Sequence, residues 1–310
     1  MATWGKFRFK DLVLVFSLVG LVAGISHFVI SNPLGPSRLF YHAQSYILQW
    51  ETRCLSNSPT WMSGVQRYAV RNMGAPSSQL VWISPNDDYY RCETGWRDKI
   101  FGKEPLQPDA RFRFASATKT ATAIIILNLI NDERLELDDK IIDVLELTGG
   151  LKDPRVADIS IEHLLSHRAG WDRVRTQDPM FMMGKEPWCP SNRNKLTETR
   201  LMYDPGEVES YSNLGYCLLG LAIEERTGRL FRDYVADYFN FSVNTLAFID
   251  GPYKSGEPKY DFRHESFYME DYYEDFDFQA LSSSAGLSGS ATDLARKIHK
   301  KRRTLLNPLI

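Results

Sequence analysis

Apolar residues are concentrated in a few long runs, and the first of these runs lies close to the N-terminus. It covers residues 12–30 and contains no acidic or basic side chain apart from His27. At ~1.5 Å of helical rise per residue, the run nearly crosses a bilayer core of ~30 Å. Lys6, Arg8 and Lys10 precede it. Basic charge in front of an apolar helix places the N-terminus in the cytoplasm.

We therefore interpret residues 1–33 as an uncleaved signal anchor and tether. A cleaved signal peptide usually has a shorter apolar region and a small-residue cleavage site, and AGISHFVISNP contains no clear A-x-A. This interpretation anchors the protein in the membrane, with the rest of the chain on the periplasmic or another extracytoplasmic side. Secretion after signal cleavage is the alternative, and a buried soluble helix is the less favoured third interpretation.

The polar and apolar positions that follow predict a mixed domain over residues 34–310. Residues 31–60 are interpreted as the tether plus a packing helix. The segments QLVWISP (79–85) and YYRCETGW (89–96) are strand-like and flank the turn sequence NDD, which predicts a β-hairpin. FRFAS (112–116) is then a short extended approach into the apolar run ATAIIILNLI, which is apolar on nearly every side and predicts a central helix.

Three further segments have helical patterns with recognisable ends. ISIEHLLSHRAG predicts a short helix with Ser160 as its N-cap and Gly170 as its stop. YSNLGYCLLGLAIEERTG predicts an apolar helix that ends at Gly228. AGLSGSATDLARKIHKK predicts a helix capped by Ser290 or Thr292. The middle of the chain is therefore predicted to be mostly helical.

These elements predict an α+β fold with two lobes. One lobe is an antiparallel sheet flanked by helices, which contains the hairpin at 79–96. The other is a helical lobe from about 130 to 275, with the apolar helix that follows FRFAS at the junction. The acidic and aromatic segment 251–278 has no period, so we predict a long surface loop there, with a lid over a cleft as the alternative.

Composition and charge exclude several classes of protein. The 310-residue chain is 43% hydrophobic and 25% charged, as in ordinary globular proteins. Its net charge of −2 gives no field directed at nucleic acid, and the basic run RKIHKKRR is interpreted as a solvated face. No phosphate loop, H-E-x-x-H motif or metal-ligand spacing occurs in the sequence. We therefore predict no metal, no cofactor and no nucleic-acid partner.

The four cysteines show no C-x-x-C or metal-ligand spacing. Cys54 and Cys92 are candidates for a disulfide if the compartment is oxidising. Cys217 lies in the apolar run GYCLLGLAI and is predicted to be a small buried hydrophobic residue.

A serine and a lysine stand where the central apolar helix begins. Ser116 and Lys119 are three residues apart and therefore share one helical face. The first turn of a helix has free N–H groups that stabilise negative charge. A serine hydroxyl becomes a good nucleophile when a neighbour takes its proton, and a lysine with a lowered pKa can do so. The pair predicts a nucleophile and its base; a helix cap with a snorkelling surface lysine is the alternative.

A second candidate box is YSN, which contains Tyr211 and Asn213. A tyrosine oxygen near a nucleophile can shuttle its proton, and an asparagine amide can hold both the lysine and a substrate carbonyl. A Pro-Gly turn precedes this box and an apolar helix follows it, unlike the equally spaced YFN at 238–240. His163 and His167 are predicted to pack and hydrogen-bond locally, although His167 is also considered as a general base.

Five blocks of the sequence together resemble the serine β-lactamase-like and penicillin-binding protein-like family. They are FRFASATK, ELDDKIIDVL, ISIEHLLSHRAGW, DPGEVESYSNLGYCLLGLAIEERTG and AGLSGSATDLAR, within about residues 65–297. The family includes class C β-lactamases, D-Ala-D-Ala carboxypeptidases, esterases and D-aminopeptidases. The resemblance implies that Ser116 is the acylated nucleophile and Lys119 its base. It further implies that Tyr211 is the proton shuttle and Asn213 the substrate-binding amide.

One part of the family pattern is not found. The family carries a third box, K-T-G or H-x-G, on a late strand, and no such sequence follows Asn213. We therefore expect the C-terminal strands to be missing. A truncated chain is the favoured explanation, ahead of a degenerate pseudoenzyme and of a domain completed by another chain.

The expected function follows from the resemblance. It is that of a serine hydrolase acting through a covalent acyl-serine on an amide, β-lactam or ester, in a small-molecule or peptide substrate. The alternative is an inactive, membrane-tethered binding protein or a fragment. The oligomeric state stays open.

Overall fold

Helices make up about half of the residues that the structure describes. The computed structural model describes residues 9–32, 35–98, 100–172, 175, 178–181, 186–251, 256–258 and 276–306. The helices in these ranges are α1 (Phe9–Ser31), α2 (Gly35–Leu48), α3 (Thr60–Asn72), α4 (Thr118–Asn131), α5 (Ile141–Val144), α6 (Ile161–Leu165), α7 (Asn213–Thr227), α8 (Phe231–Tyr238) and α9 (Ala291–Leu306). The strands are β1 (Arg53–Cys54), β2 (Ser78–Ile83), β3 (Tyr89–Thr94), β4 (Phe112–Arg113), β5 (Ala247–Phe248) and β6 (Leu287–Gly289).

The strands form two small antiparallel sheets. In the first, of order β1-β3-β2, the predicted hairpin is confirmed, with Leu80 opposite Cys92. In the second, of order β4-β6-β5, Phe112 lies opposite Gly289. The α+β class is therefore confirmed, although the sheet content is divided between two places. The second sheet joins the approach to α4 with the approach to α9.

The main core surrounds α4 and α7, which pack against each other. Ile125 and Ile126 of α4 are fully buried, as are most side chains of α7. The Ser212 side chain caps α7 by accepting a hydrogen bond from the Gly215 N–H at 3.1 Å. The helix ends at Gly228, whose φ of 68° is left-handed, so the predicted stop is confirmed.

Both pairs of cysteines form disulfides. Cys54–Cys92 joins β1 to β3, as the sequence allowed for an oxidising compartment. Cys189 is bonded to Cys217 of α7. The prediction of Cys217 as a plain hydrophobic residue was therefore wrong about its chemical state, although the residue is buried. Its apolar neighbours gave no indication of a partner 28 residues away.

The other helix boundaries agree with the sequence in part. Ser160 caps α6, but this helix ends at Leu165 rather than at Gly170. The reason is that His167 adopts a left-handed φ of 59°, which an α-helix does not continue through. Ser290 is the cap of α9, because its Oγ accepts a hydrogen bond from the Asp293 N–H at 3.1 Å. The helix α3 was not predicted.

The N-terminal apolar run forms α1, whose 23 residues are all exposed. Its most apolar window has a mean hydropathy of 2.4, so α1 is long and apolar enough to cross a membrane. A signal anchor and a signal sequence both fit these properties. The predicted loop at 251–278 lies largely outside the described residues.

Candidate active site

The site begins at the N-terminal end of α4. Strand β4 leads into a single 3₁₀ turn, Ala115–Ala117, and α4 follows directly. Ala115 has a positive φ of 44°, which is uncommon for a residue other than glycine. This turn leaves Ser116 exposed, whereas Lys119 is only 6% exposed. A candidate nucleophile therefore faces solvent three residues before a buried amine.

Tyr211 lies against Ser116. Its hydroxyl donates a hydrogen bond to Ser116 Oγ at 2.6 Å, although the two residues are 95 positions apart. Tyr211 stands immediately before Ser212, the N-cap of α7, whose backbone is extended. The packing of α7 against α4 therefore brings the two predicted boxes together.

The buried amine of Lys119 is well supplied with partners. Its Nζ donates to Asn213 Oδ1 at 2.7 Å and to the Ser284 carbonyl at 2.9 Å. The same Nζ lies 4.7 Å from the centroid of the Tyr211 ring. A buried amine needs such partners because its desolvation is costly. The structure thus brings together all four residues predicted for the site.

The segment just before β6, which contains Ser283 and Ser284, lies along α4 and completes the surroundings of Lys119. Thr122 Oγ1 donates to the Ser283 carbonyl at 2.7 Å, and Thr118 Oγ1 accepts the Leu287 N–H at 3.1 Å. These bonds fix the Ser284 carbonyl at the position where it meets Lys119. Sequence reasoning missed this contribution, since nothing in the run SSSAG distinguishes a carbonyl that binds an amine.

Asp178 was also missed. Its Oδ2 accepts a hydrogen bond from Asn213 Nδ2 at 2.6 Å. Because Asn213 Oδ1 faces Lys119, the carboxylate determines which way the amide points. Asp178 stands in a segment without periodicity, so the sequence carried no signal for it.

His167 packs beside Tyr211, a long-range contact, whereas the sequence predicted only local packing and hydrogen bonding. Their ring centroids are 4.6 Å apart, and His167 Nδ1 accepts the Ser212 N–H at 3.2 Å. Burial lowers the pKa of His167 below its ordinary value of 6.5, and the charge of Lys119 lowers it further. Burial also raises the pKa of the neighbouring Tyr216, whose hydroxyl donates to the Leu165 carbonyl at 3.2 Å.

The chemistry of this cluster is that of proton transfer around a hydroxyl group. A serine oxygen is exposed, a phenol donates to it, and a buried amine lies beneath the phenol ring. Within the part of the chain that the structure describes, no group of three or more His, Cys, Asp or Glu side chains is arranged to hold a metal ion.

Comparisons with known proteins identify the family and the fold. A family model described as Beta-lactamase matches residues 68–309. The chain is 39% identical over 292 residues to a candidate fimbrial assembly protein, FimD of serogroup D, from Dichelobacter nodosus. That alignment covers 94% of this chain and 74% of the relative.

Two solved structures share the fold. EstCE1, described as a hydrolase with promiscuous acyltransferase activity, has a TM-score of 0.56 at 22% identity and covers 76% of this chain and 70% of its own. The D-amino acid amidase of Ochrobactrum anthropi SV3 has a TM-score of 0.53 at 22% identity, covering 71% of this chain and 64% of its own. With a family model that matches most of its length and the Ser-Lys-Tyr-Asn cluster at the junction of α4 and α7, the chain belongs to the β-lactamase family.

Proposed function

We propose that this protein is a serine hydrolase that works through a covalent acyl-Ser116 intermediate. The observation that carries the proposal is the 2.6 Å hydrogen bond from the Tyr211 hydroxyl to Ser116 Oγ, above the buried amine of Lys119. An exposed serine with a proton donor and an amine on one side has the parts that nucleophilic catalysis needs.

Acylation uses these groups in order. Ser116 Oγ attacks the substrate carbonyl carbon, and its proton passes to Lys119, which acts as the base once its ammonium group has given up a proton. An O–C bond forms, and the carbonyl electron pair moves to the oxygen, which accepts the Ser116 backbone N–H. When the intermediate collapses, the C–N or C–O bond breaks and the leaving group takes a proton through Tyr211. Water then repeats the sequence on the acyl-enzyme and releases the acid.

Asn213 has a supporting role in this scheme. Its amide lies between Lys119 and Asp178, so its orientation is fixed before substrate binds. We propose that this fixed amide beside Lys119 binds the carbonyl of an amide, β-lactam or ester. The proposed substrate class is therefore a small molecule or peptide that contains one of these acyl groups.

We further propose that the catalytic domain, residues 34–310, is held at a membrane by residues 1–33. The apolar and exposed α1 supports anchoring. Two disulfides support an oxidising, extracytoplasmic compartment, because such bonds persist there and are rare in reducing cytosol.

The test is the mass of the intact protein after exposure to a β-lactam and to an activated ester. The expected result is one acyl group per chain, located at Ser116 by peptide mapping and absent in Ser116→Ala. Ser56→Ala, which changes an exposed serine outside the site, is the matched control and should be labelled like the parent. Folded parent protein that takes up neither reagent would favour the alternative, a membrane-tethered binding protein without hydrolytic activity.

A further inference from the structure

His167 binds the backbone on both sides of Tyr211. Its carbonyl accepts the Ser210 N–H at 2.8 Å, and its Nδ1 accepts the Ser212 N–H at 3.2 Å. The single residue between these two N–H groups is Tyr211. Main chain and side chain of one histidine therefore fix the strand-like segment that carries the tyrosine.

The histidine is itself held firmly. Its ring packs against two phenol rings, with centroids 4.6 Å from Tyr211 and 5.2 Å from Tyr216. Its backbone has a left-handed φ of 59°, a region that few residues other than glycine occupy, although Asn, Asp and His are enriched there. A strained backbone persists where the surrounding contacts impose it. Here three of those contacts, the hydrogen bonds from the Ser210 and Ser212 N–H groups and the packing on the Tyr211 ring, involve the segment that carries Tyr211.

We propose that His167 is a positioning residue for the acylation step, which holds the Tyr211 hydroxyl against Ser116 while its imidazole is neutral and releases it when the ring is protonated. The proposal deepens the proposed function and rests on it. The physical reason is simple: Nδ1 accepts the Ser212 N–H with its lone pair, and a protonated ring has a hydrogen there instead. The protonated Nδ1–H of His167 and the Ser212 N–H then face each other and repel. We call the hold of His167 on Ser210 and Ser212 the clamp, and protonation opens it.

Among the residues that the structure describes, a small number of charged and titratable groups face the ring. Lys119 on α4 and burial both oppose protonation, whereas Glu209 on the preceding segment favours it. The remaining neighbours are the phenols of Tyr211 and Tyr216. Burial is the largest of these influences, so His167 stays neutral at neutral pH and becomes protonated only in acid.

Two substitutions separate the hydrogen bond from the titration. In His167→Asn the side-chain Oδ1 replaces Nδ1 as the acceptor, tolerates the left-handed backbone and cannot be protonated at these pH values. His167→Ala removes the acceptor altogether. His163→Asn is the matched control, because His163 Nδ1 accepts the Ser160 N–H at the same 3.2 Å but in the capping box of α6.

The first experiment measures the acylation rate with an activated ester as a function of pH. At about pH 8, we expect His167→Ala to acylate about tenfold or more slowly, with an unchanged half-saturating concentration, and His167→Asn to recover most of that loss. In His167→Asn the fall of the acylation rate at acidic pH, the acid limb of the profile, should also move to lower pH. Only the titration of other groups should then remain visible. His163→Asn should keep the parent profile. The proposal is overturned if His167→Ala reacts like the parent, or if His167→Asn keeps the parent's acid limb.

A second experiment measures the environment of Tyr211 directly and does not depend on catalysis. The protein is labelled with 3-fluorotyrosine, and the ¹⁹F resonance of Tyr211 is assigned by its loss in Tyr211→Phe. We expect this resonance to shift with a midpoint below about pH 6.5 in the parent and to be insensitive to pH in His167→Asn. A Tyr211 resonance that does not respond to pH in the parent refutes the clamp. If no reagent acylates the parent while this titration appears as expected, the proposed function fails and the clamp stands.

Discussion

The helices α1 and α4 are both rich in apolar residues, but one is exposed and the other is buried. Both are apolar on nearly every side. The 23 residues of α1 are all exposed, whereas eight of the 14 residues of α4 are buried. In α4 the polar residues Thr118, Lys119 and Thr122 are buried and each is hydrogen-bonded to another element. Apolar character alone therefore does not tell a central helix from one that needs lipid to cover it.

The difference lies in what the polar side chains do. Those of α4 are hydrogen-bonded to Ser283, to Leu287 of β6 and to Asn213 of α7. These bonds keep α4 from rotating about its axis or sliding along it. This fixing gives Ser116 and Lys119 a defined geometry, which a catalytic pair requires. Four substitutions or conditions test the contrast, and they follow from the largest expected effect to the smallest.

The largest effect is expected from Lys119→Met. Loss of the amine removes the proposed base, so the acylation rate should fall by about 10²–10⁴-fold. Circular dichroism verifies that the variant is folded, because Asn213 Oδ1 loses a buried donor at a cost of about 1–3 kcal/mol. The matched change in α1, Lys10→Met, should leave the rate unchanged. Equal rates for parent and Lys119→Met would exclude the lysine as the base.

The next effect concerns burial itself. Ile125→Ala in α4 leaves a cavity in the core and should lower the free energy of unfolding by about 2–5 kcal/mol. Leu18→Ala in α1, where the side chain is 58% exposed, should change it by less than about 0.5 kcal/mol. Both variants are measured by urea denaturation in the same detergent. A comparable loss in both would mean that α1 is packed against protein.

A smaller effect tests the polar side chains of the two helices. Thr122→Val keeps the shape of the side chain but leaves the Ser283 carbonyl without its donor, so we expect a loss of about 1–3 kcal/mol in unfolding free energy. Ser17→Val, at an exposed position of α1, should change it by less than about 0.5 kcal/mol. An undiminished stability of Thr122→Val would show that this hydrogen bond contributes nothing net.

The smallest effect is a dependence of stability on pH at the site end of α4. Folding lowers the pKa of His167 from its ordinary value of 6.5, so folding favours the neutral ring. This contribution is fully present above about pH 6.5 and is lost as the pH falls through the lower folded value. Unfolding free energies at about pH 8 and pH 5 should therefore differ more in the parent than in His167→Asn. Equal differences would contradict the lowered pKa.

The sequence by itself determined the local features of this protein. Residue types that favour particular backbone conformations predicted the cap at Ser160, the end of α7 at Gly228 and the hairpin around NDD. They also limited the cap of α9 to Ser290 or Thr292. The two boxes around Ser116 and Tyr211 were also readable, because each combines reactive side chains with a helix start. Caps, turns and short motifs depend only on neighbouring residues, so the sequence is sufficient to predict them.

Only the tertiary structure decided which distant residues these local features contact. The bond of Cys189 to Cys217, the Ser284 carbonyl on Lys119, the Asp178 carboxylate on Asn213 and the His167 contacts around Tyr211 all join distant parts of the chain. Their residue types occur throughout any sequence, and a hydrogen bond of about 3 Å depends on how helices pack, not on spacing along the chain. Packing of α4 against α7 turned two separate motifs into one site.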